Sequence, residues 1–414
     1  MTNYDYLIIG GGMTGAAAAD GIREVDATGS IGMFSAEADP PYNRPPLSKG
    51  LWKGDPLDSV WRQMKGERPK LHLGQTIKKI VPDKMRVIDN AGTSFSYGKL
   101  LLATGGTPRR LPFEDDQMIY FRTLLDYQRL RALSETGRRF AIIGGGFIGT
   151  EIAAALTMNG KKVTLVFPGH EIGERLFPRE LAQYVSSVYR QKGVELVPGE
   201  KVVASEARGK QRVLTTKSGR EIVVDGVVAG IGLEPNIELA KAAGLSTNTG
   251  IVVDEFLRTS AANIHAAGDA AEFYNPTLAK HMRVEHEDNA NTMGRLAGRN
   301  MAGMIEPYDY LPSFYSDMFE LGYEAIGEVD SRLDIFADWK RPNEEGVLYY
   351  LKDDRVRGVL LWNVWGQVPT ARELIAERGP FTRENLKGRL PASAPTENKE
   401  ALEPAGADGG GAHV

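Results

Sequence analysis

The 414-residue sequence predicts an α/β protein of two doubly wound units, one inserted into the other, with a smaller C-terminal α+β domain. Three observations carry this expectation. Tyr6-Leu-Ile-Ile-Gly-Gly-Gly-Met-Thr-Gly15 and Arg138-Arg-Phe-Ala-Ile-Ile-Gly-Gly-Gly-Phe-Ile-Gly-Thr-Glu151 are apolar strands running straight into glycines. They lie about 130 residues apart. Further on, Ile264–Ala271 reads as a strand ending in Gly268-Asp269, which returns the chain to the first unit. The expected domains are 1–112 with 240–311, the insert 113–239, and 312–391, followed by a tail at 392–414.

The glycine spacing is G-x-G-x-x-G. In the second run it is set by Gly144, Gly146 and Gly149, with Gly145 between the first two. The first glycine makes the tight turn, the second admits a pyrophosphate, and the third lets the helix pack on its strand. The helix N-terminus adds free N–H groups and the positive end of its dipole. Gly10, Gly11, Gly12, Met13, Thr14 and Gly15 repeat the pattern. One such run is a weak signal; two suggest two nucleotides brought face to face.

Taken in order, Tyr4–Ile9, Gly15–Val25 and Ser30–Phe34 read as strand, alanine-rich helix and second strand. An acid beyond that second strand accepts adenosine ribose hydroxyls. Glu37 and, less well placed, Asp39 are the candidates, against the plainer role of a solvated loop carboxylate. Pro40–Lys49 carries prolines that exclude helix, so an extended, rigid loop is expected, displaying Arg44 and Lys49 to a phosphate or an anionic ring. Short strands follow within Leu71–Val87. Gly98–Gly106 is a buried strand whose small residues Ala103, Thr104 and Gly105 let backbone approach a ligand. Arg122-Thr123 opens a helix to about Leu133.

In the insert, Lys162–Phe167 is the second strand and Leu181–Lys192 a helix. Val194–Leu196, Gln211–Thr216 and Glu221–Ala229 read as strands. Asp269 opens a helix, either as its cap or as an acceptor for sugar hydroxyls. Arg283–Met301 reads as one long helix. Tyr323–Val329, Val347–Leu351 and Arg357–Trp362 are strands, and Thr370–Arg378 a closing helix. The tail is rich in Ala, Gly, Pro and Glu and is expected to be disordered.

Composition narrows the function. The net charge of −4 gives no footprint for nucleic acid or an anionic membrane. The absence of cysteine excludes a disulfide, a thiolate-held iron–sulfur cluster and a dithiol relay. No apolar run reaches membrane-span length, and the first strand leaves no room for a leader. A soluble, cytoplasmic protein is the expectation. No metal-ligand spacing, Ser/His/Asp triad or hydrolase carboxylate pair is present.

Several separated stretches resemble one family. They are Pro41-Tyr-Asn-Arg-Pro-Pro-Leu-Ser-Lys49, Ala103-Thr-Gly-Gly-Thr-Pro-Arg109, Ile142–Glu151 and Gly232-Leu-Glu-Pro-Asn-Ile-Glu-Leu-Ala-Lys241. Downstream come Ala267-Gly-Asp-Ala-Ala271, Arg283-Val-Glu-His286, Gly294-Arg-Leu-Ala-Gly298, Gly322-Tyr-Glu-Ala-Ile-Gly327 and Leu361-Trp-Asn363. The chain thereby resembles the apoptosis-inducing-factor flavoproteins, which are similar in turn to the FAD-containing ferredoxin and rubredoxin reductases of bacterial oxygenase systems. The resemblance implies an FAD domain interrupted by an NAD(H) domain, then a C-terminal domain covering the flavin. It implies FAD contacts from Gly10 to Thr14, Glu37, Arg44, Lys49, Arg122 and Asp269, with Ile77 through its backbone. His286, Glu287 and Tyr315 would lie near the isoalloxazine. Nicotinamide-nucleotide contacts would be Gly145, Gly146, Phe147, Ile148, Arg175, Gly232, Glu285, Glu324 and Asn363.

The sequence departs from the family at three places. Gly169 stands where the family carries a ribose-binding acid, with Glu171 two positions later. Tyr315 aligns with a tryptophan. The long insertion of the mammalian proteins is missing between Leu333 and Val347, which favours a compact redox enzyme over nucleus-directed roles.

The implied activity is hydride transfer from nicotinamide C4 to flavin N5, then electron delivery to a small iron–sulfur protein, quinone or similar acceptor. Lys49 would stabilise negative charge on the reduced flavin. A buried lysine needs a partner, and Glu151, one turn into its helix, is placed to be one; the plainer readings are a surface lysine and a helix-start carboxylate. Phe147 would stack on the flavin or simply pack in the core. His286 would donate a hydrogen bond to flavin or nicotinamide. NADH is expected over NADPH, although His170 and Arg175 offer charge to a 2′-phosphate. The alternative is an NADH-responsive binding module whose slow turnover and charge-transfer complex control homodimerisation.

Overall fold

A computed structural model of the chain describes residues 2–113 and 115–390. The tail at 392–414 lies outside them. The first unit is a seven-stranded sheet in which Thr2–Ile9 lies between Ile31–Ser35 and Ser94–Leu102, parallel to both. Ile264–Ala266 joins it beside Ser94–Leu102, so the returning chain re-enters the first sheet. The central strands are apolar and buried because helices and loops cover both faces.

The second unit is a five-stranded parallel sheet, ordered Glu195–Pro198, Lys162–Phe167, Arg139–Ile143, Gly226–Ala229 and Ile119–Tyr120. The chain enters and leaves this unit along adjacent paths: Gly106–Pro108 pairs antiparallel with Leu233–Pro235. Asn236 locks the crossing, donating from Nδ2 to Thr104 O at 2.9 Å and accepting on O from Thr104 Oγ1 at 2.7 Å. Thr123 caps the helix Leu124–Thr136 in a reciprocal box with Asp126. The C-terminal domain is a five-stranded antiparallel sheet, ordered Ser313–Met318, Leu321–Gly327, Arg355–Trp362, Glu345–Lys352 and Asp334–Arg341.

Four expectations are corrected. Pro45–Leu47 is a 3₁₀ turn, not extended chain, because proline's φ suits a first helical turn and its missing N–H costs nothing there. Glu221–Ala229 is two strands in different sheets; the Asp225 carboxylate leaves the ladder to accept from Arg138 N and Arg139 N. Gly268–Ala270 is a single 3₁₀ turn leading into the strand Ala271–Asn275, and Asp269 turns to Arg122 instead of capping. The last long helix begins at Glu287. The preceding segment is drawn out by Arg283, which donates to Asp269 O at 2.9 Å and pairs with Glu285 at 2.5 Å.

Candidate active site

One cavity of about 910 Å³ is lined by both glycine turns. Gly10 and Gly144 adopt φ of 126° and 107°, the positive values that the sharp exit from a strand requires. A Cβ on Gly15 would fall 2.0 Å from Gly10 O, and one on Gly149 would fall 1.8 Å from Gly144 O, so these helices close directly on their turns. A Cβ on Gly146 would meet nothing within 4 Å. That open backbone faces the cavity, which is the space a phosphate needs.

Around the first turn stand two cation–carboxylate pairs. Arg44 meets Glu37 at 2.5 Å and donates to Tyr42 Oη at 2.9 Å and to Arg122 O at 2.8 Å. Tyr42 Oη in turn donates to Glu37 at 2.5 Å. Arg122 meets Asp269 at 2.6 Å. This mix of guanidinium donors, sugar-accepting carboxylates and a side-chain-free turn matches a dinucleotide's phosphates and hydroxyls. The cavity's size and the donor set around the first turn fit FAD.

Between the two turns lies a buried ion pair. The 3₁₀ turn aims Ser48 and Lys49 inward, and Lys49 Nζ reaches Glu151 Oε1 at 2.6 Å. Glu151, only 3% exposed, also accepts from Ser48 Oγ at 2.6 Å and Ser316 Oγ at 2.7 Å. Two segments, supplying three side chains, therefore converge on one carboxylate. Lys49 Nζ lies 5.1 Å from the Tyr315 ring centroid, and Tyr315 Oη donates to Glu287 at 3.2 Å. Burial raises the pKa of Glu287 even though Tyr315 donates to it, and raises that of the Tyr315 phenol too, so the phenol keeps its proton.

Phe147, His286 and Phe314 form an aromatic wall. Phe147 packs edge-on against both others, and His286 stacks on Phe314 at 4.7 Å. His286 is the N-cap residue of the last long helix and opens onto the cavity. Burial lowers its imidazole from 6.5 to about 4, assisted by Lys49 and opposed by Asp269 and Glu151. Neutral at pH 7, it offers one N–H and one acceptor nitrogen. His265, buried outside the cavity, is likewise lowered to about 4 by burial. The unfolded chain takes up these protons near 6.5 and the folded chain only near 4. Stability from this source is therefore complete above about pH 6.5 and falls as the pH drops toward 4. For His265 the loss is on the order of 2 kcal/mol by about pH 5. Urea midpoints at neutral pH and near pH 5 check this: the drop is expected to shrink in His265→Gln, and an equal drop in the variant would refute it.

Most of the expected site residues line this cavity: Gly10 through Thr14, Glu37, Arg44, Lys49, Ala103–Gly105, Arg122, Gly146–Ile148, Glu151, Gly232, Asp269, Glu285–Glu287 and Tyr315. Others do not. Ile77 pairs with Asp89 at the sheet edge, its side chain in the core. Gly145 packs under Phe167, and Gly268 turns at φ 73° against Thr14. Arg175 is exposed beyond Lys162–Phe167. Glu324 Oε2 is buried without a hydrogen-bond partner in the C-terminal sheet, and its pKa is raised by burial. Asn363 is committed to a turn, accepting from Gly322 N and donating to Glu344 O. Sequence reasoning missed Ser48, Ser316, Phe314 and Tyr42. The alternation of Phe314 and Ser316 on one strand was the available signal for two of them.

The pyridine nucleotide-disulphide oxidoreductase family model matches residues 4–294. That of the C-terminal region of mitochondrion-associated apoptosis-inducing factor matches residues 297–346 and 337–377. Apoptosis-inducing factor 1, mitochondrial, of Dictyostelium discoideum is 32% identical over 419 residues, covering 91% of this chain and 79% of that protein. Putidaredoxin reductase CamA of Pseudomonas putida is 30% identical over 400 residues, covering 93% and 94%. The solved structure of the covalent putidaredoxin reductase–putidaredoxin complex aligns with a TM-score of 0.87 at 30% identity, covering 93% of this chain and 96% of the other.

Proposed function

The chain belongs to the pyridine nucleotide-disulphide oxidoreductases, and we propose that within them it is an FAD-dependent NADH oxidoreductase that passes electrons to a small redox protein. The observation that carries this reading is the single cavity reaching from one glycine turn to the other, with a buried Lys–Glu pair between them. The family's usual dithiol is excluded, because the chain has no cysteine. When bound, FAD and NADH supply the hydride chemistry.

The protein supplies orientation, charge and dryness. The first glycine turn, Arg44, Arg122, Glu37 and Asp269 hold the FAD phosphates and hydroxyls. Gly146 and the start of helix Phe147–Met158 receive the nicotinamide nucleotide. Lys49, held by Glu151, fixes a positive charge where negative charge develops on reduction. Phe147, Phe314 and neutral His286 keep water from the reacting faces. A cytoplasmic location belongs to the same proposal and fits a chain without cysteine; among the described residues no helix is long and apolar enough to cross a membrane.

A visible spectrum taken before and after anaerobic NADH tests the reading. Flavin bands that bleach on NADH, then recover on adding a small iron–sulfur protein, are expected. Protein that takes up no flavin, or flavin that NADH leaves oxidised, would sink it. The C-terminal match favours a second reading, an NADH-responsive module that dimerises on reduction. Size-exclusion runs with and without NADH separate the two, since fast turnover at unchanged size eliminates the module.

A further inference from the structure

In a β-α-β dinucleotide unit, a carboxylate just past the second strand accepts the adenosine ribose hydroxyls. Sheet register locates that position in both units. Ile9 pairs with Phe34, and Ile143 pairs with Val166. Gly10 N donates to Phe34 O, and Gly144 N to Val166 O, each at 2.8 Å. Three residues beyond these partners stand Glu37 in the first unit and Gly169 in the second. Counting from the glycines alone points to Glu171 instead. The count misleads because the first unit takes 25 residues from Ile9 to Phe34, whereas the second takes 23 from Ile143 to Val166.

Gly169 has no carboxylate to offer, and Glu171 Oε2 is buried without a hydrogen-bond partner. The vacant place is filled from downstream. A Cβ built on Gly169 would fall 2.4 Å from Glu174 Oε1, so that carboxylate lies where a side chain at 169 would lie. Gly173, at φ 70°, turns the chain back. His170 N and Glu171 N donate to Glu174 Oε2 at 2.8 and 3.4 Å. Ser331 of the C-terminal domain steadies the loop, donating from Oγ to Glu174 O at 2.6 Å and from N to Arg175 O at 3.0 Å. Both hydrogen bonds to the carboxylate fall on Oε2, which leaves Oε1 for a ligand.

We infer that Glu174 is the ribose-binding carboxylate of the second unit and sets its preference for NADH over NADPH. It accepts from the adenosine ribose hydroxyls, and its charge repels a 2′-phosphate that exposed His170 and Arg175 would otherwise attract. The inference rests on the reading of the second unit as the nicotinamide-nucleotide site.

Calorimetric titration of the flavin-loaded protein with NAD⁺ and with NADP⁺ tests it, in wild type, Glu174→Gln and Glu171→Gln. Glutamine keeps an oxygen for the two backbone N–H groups and removes only the charge. The NAD⁺/NADP⁺ affinity ratio is expected to fall on the order of tenfold in Glu174→Gln and to stay within about twofold in Glu171→Gln. An unchanged ratio in Glu174→Gln, or an equal fall in Glu171→Gln, overturns the inference while NAD⁺ binding keeps the nicotinamide reading intact. Wild-type protein that binds neither nucleotide overturns both.

Discussion

Lys49→Ala is expected to slow flavin reduction by NADH by about 10²–10³-fold while the protein keeps its FAD, because one preorganised charge at a developing anion is worth that much. The FAD contacts proposed for Arg44, Arg122 and the first glycine turn do not run through Lys49. The substitution also strands Glu151, 3% exposed, without its cation. Removing one partner of a buried pair costs about 3–5 kcal/mol, and the hydroxyls of Ser48 and Ser316 soften that loss. Stability and rate must therefore be separated. The double variant Lys49→Met/Glu151→Gln leaves no uncompensated charge, so its thermal midpoint is expected to recover toward wild type while its reduction rate stays slow. Stopped-flow bleaching of the flavin band beside a thermal melt reads both. A wild-type rate in either variant would remove Lys49 from the chemistry.

The second large effect separates two glycines in one turn. Gly149→Ala would place a methyl 1.8 Å from Gly144 O, a backbone oxygen that cannot yield as a side chain could. Overpacking of this kind costs about 1–3 kcal/mol or more, and here it forces the helix Phe147–Met158 off its strand. The variant is expected to melt well below wild type or to accumulate insoluble. Gly146→Ala meets nothing within 4 Å and needs no unusual φ. It is expected to melt with wild type yet bind NADH at least about tenfold more weakly, because its methyl occupies the phosphate's approach. Matched melts and titrations decide this. Tight NADH binding by Gly146→Ala would show that the nucleotide does not lie against that turn.

The glycine units were legible in the sequence because their constraint is local: a positive φ, a missing Cβ and a following helix lie within six consecutive residues. The pairing of Lys49 with Glu151 came within reach only through the family resemblance, since the residues alone read as a surface lysine and a helix-start carboxylate. Ser316 and Phe314 were harder to find, because the strand Ser313–Met318 carries polar residues at a sheet edge and reads as loop, leaving their alternate spacing as the one signal. Val202–Arg208 and Asp334–Arg341 escaped for the same reason, each with one half-solvated face. Asp225 shows a different failure. Its flanking residues are β-prone, but the turn signal Asp225-Gly226 interrupts them, and the carboxylate fixes the split by accepting from Arg138 N and Arg139 N. Glu174 is a third kind, since a spacing rule holds only when the intervening helix and loop keep their length.

The crossing of Gly106–Pro108 with Leu233–Pro235 bears on how the chain folds. Arg109 N donates to Gly232 O at 3.0 Å, so the two ends of the inserted unit meet at hydrogen-bond distance. A segment whose ends already touch imposes little closure entropy on the chain that carries it, however many residues it contains. The inserted unit can complete its own sheet without threading through its host. The host strands on either side can find each other as though joined by a tight turn. In folding terms, the whole inserted unit is a hairpin loop of its host.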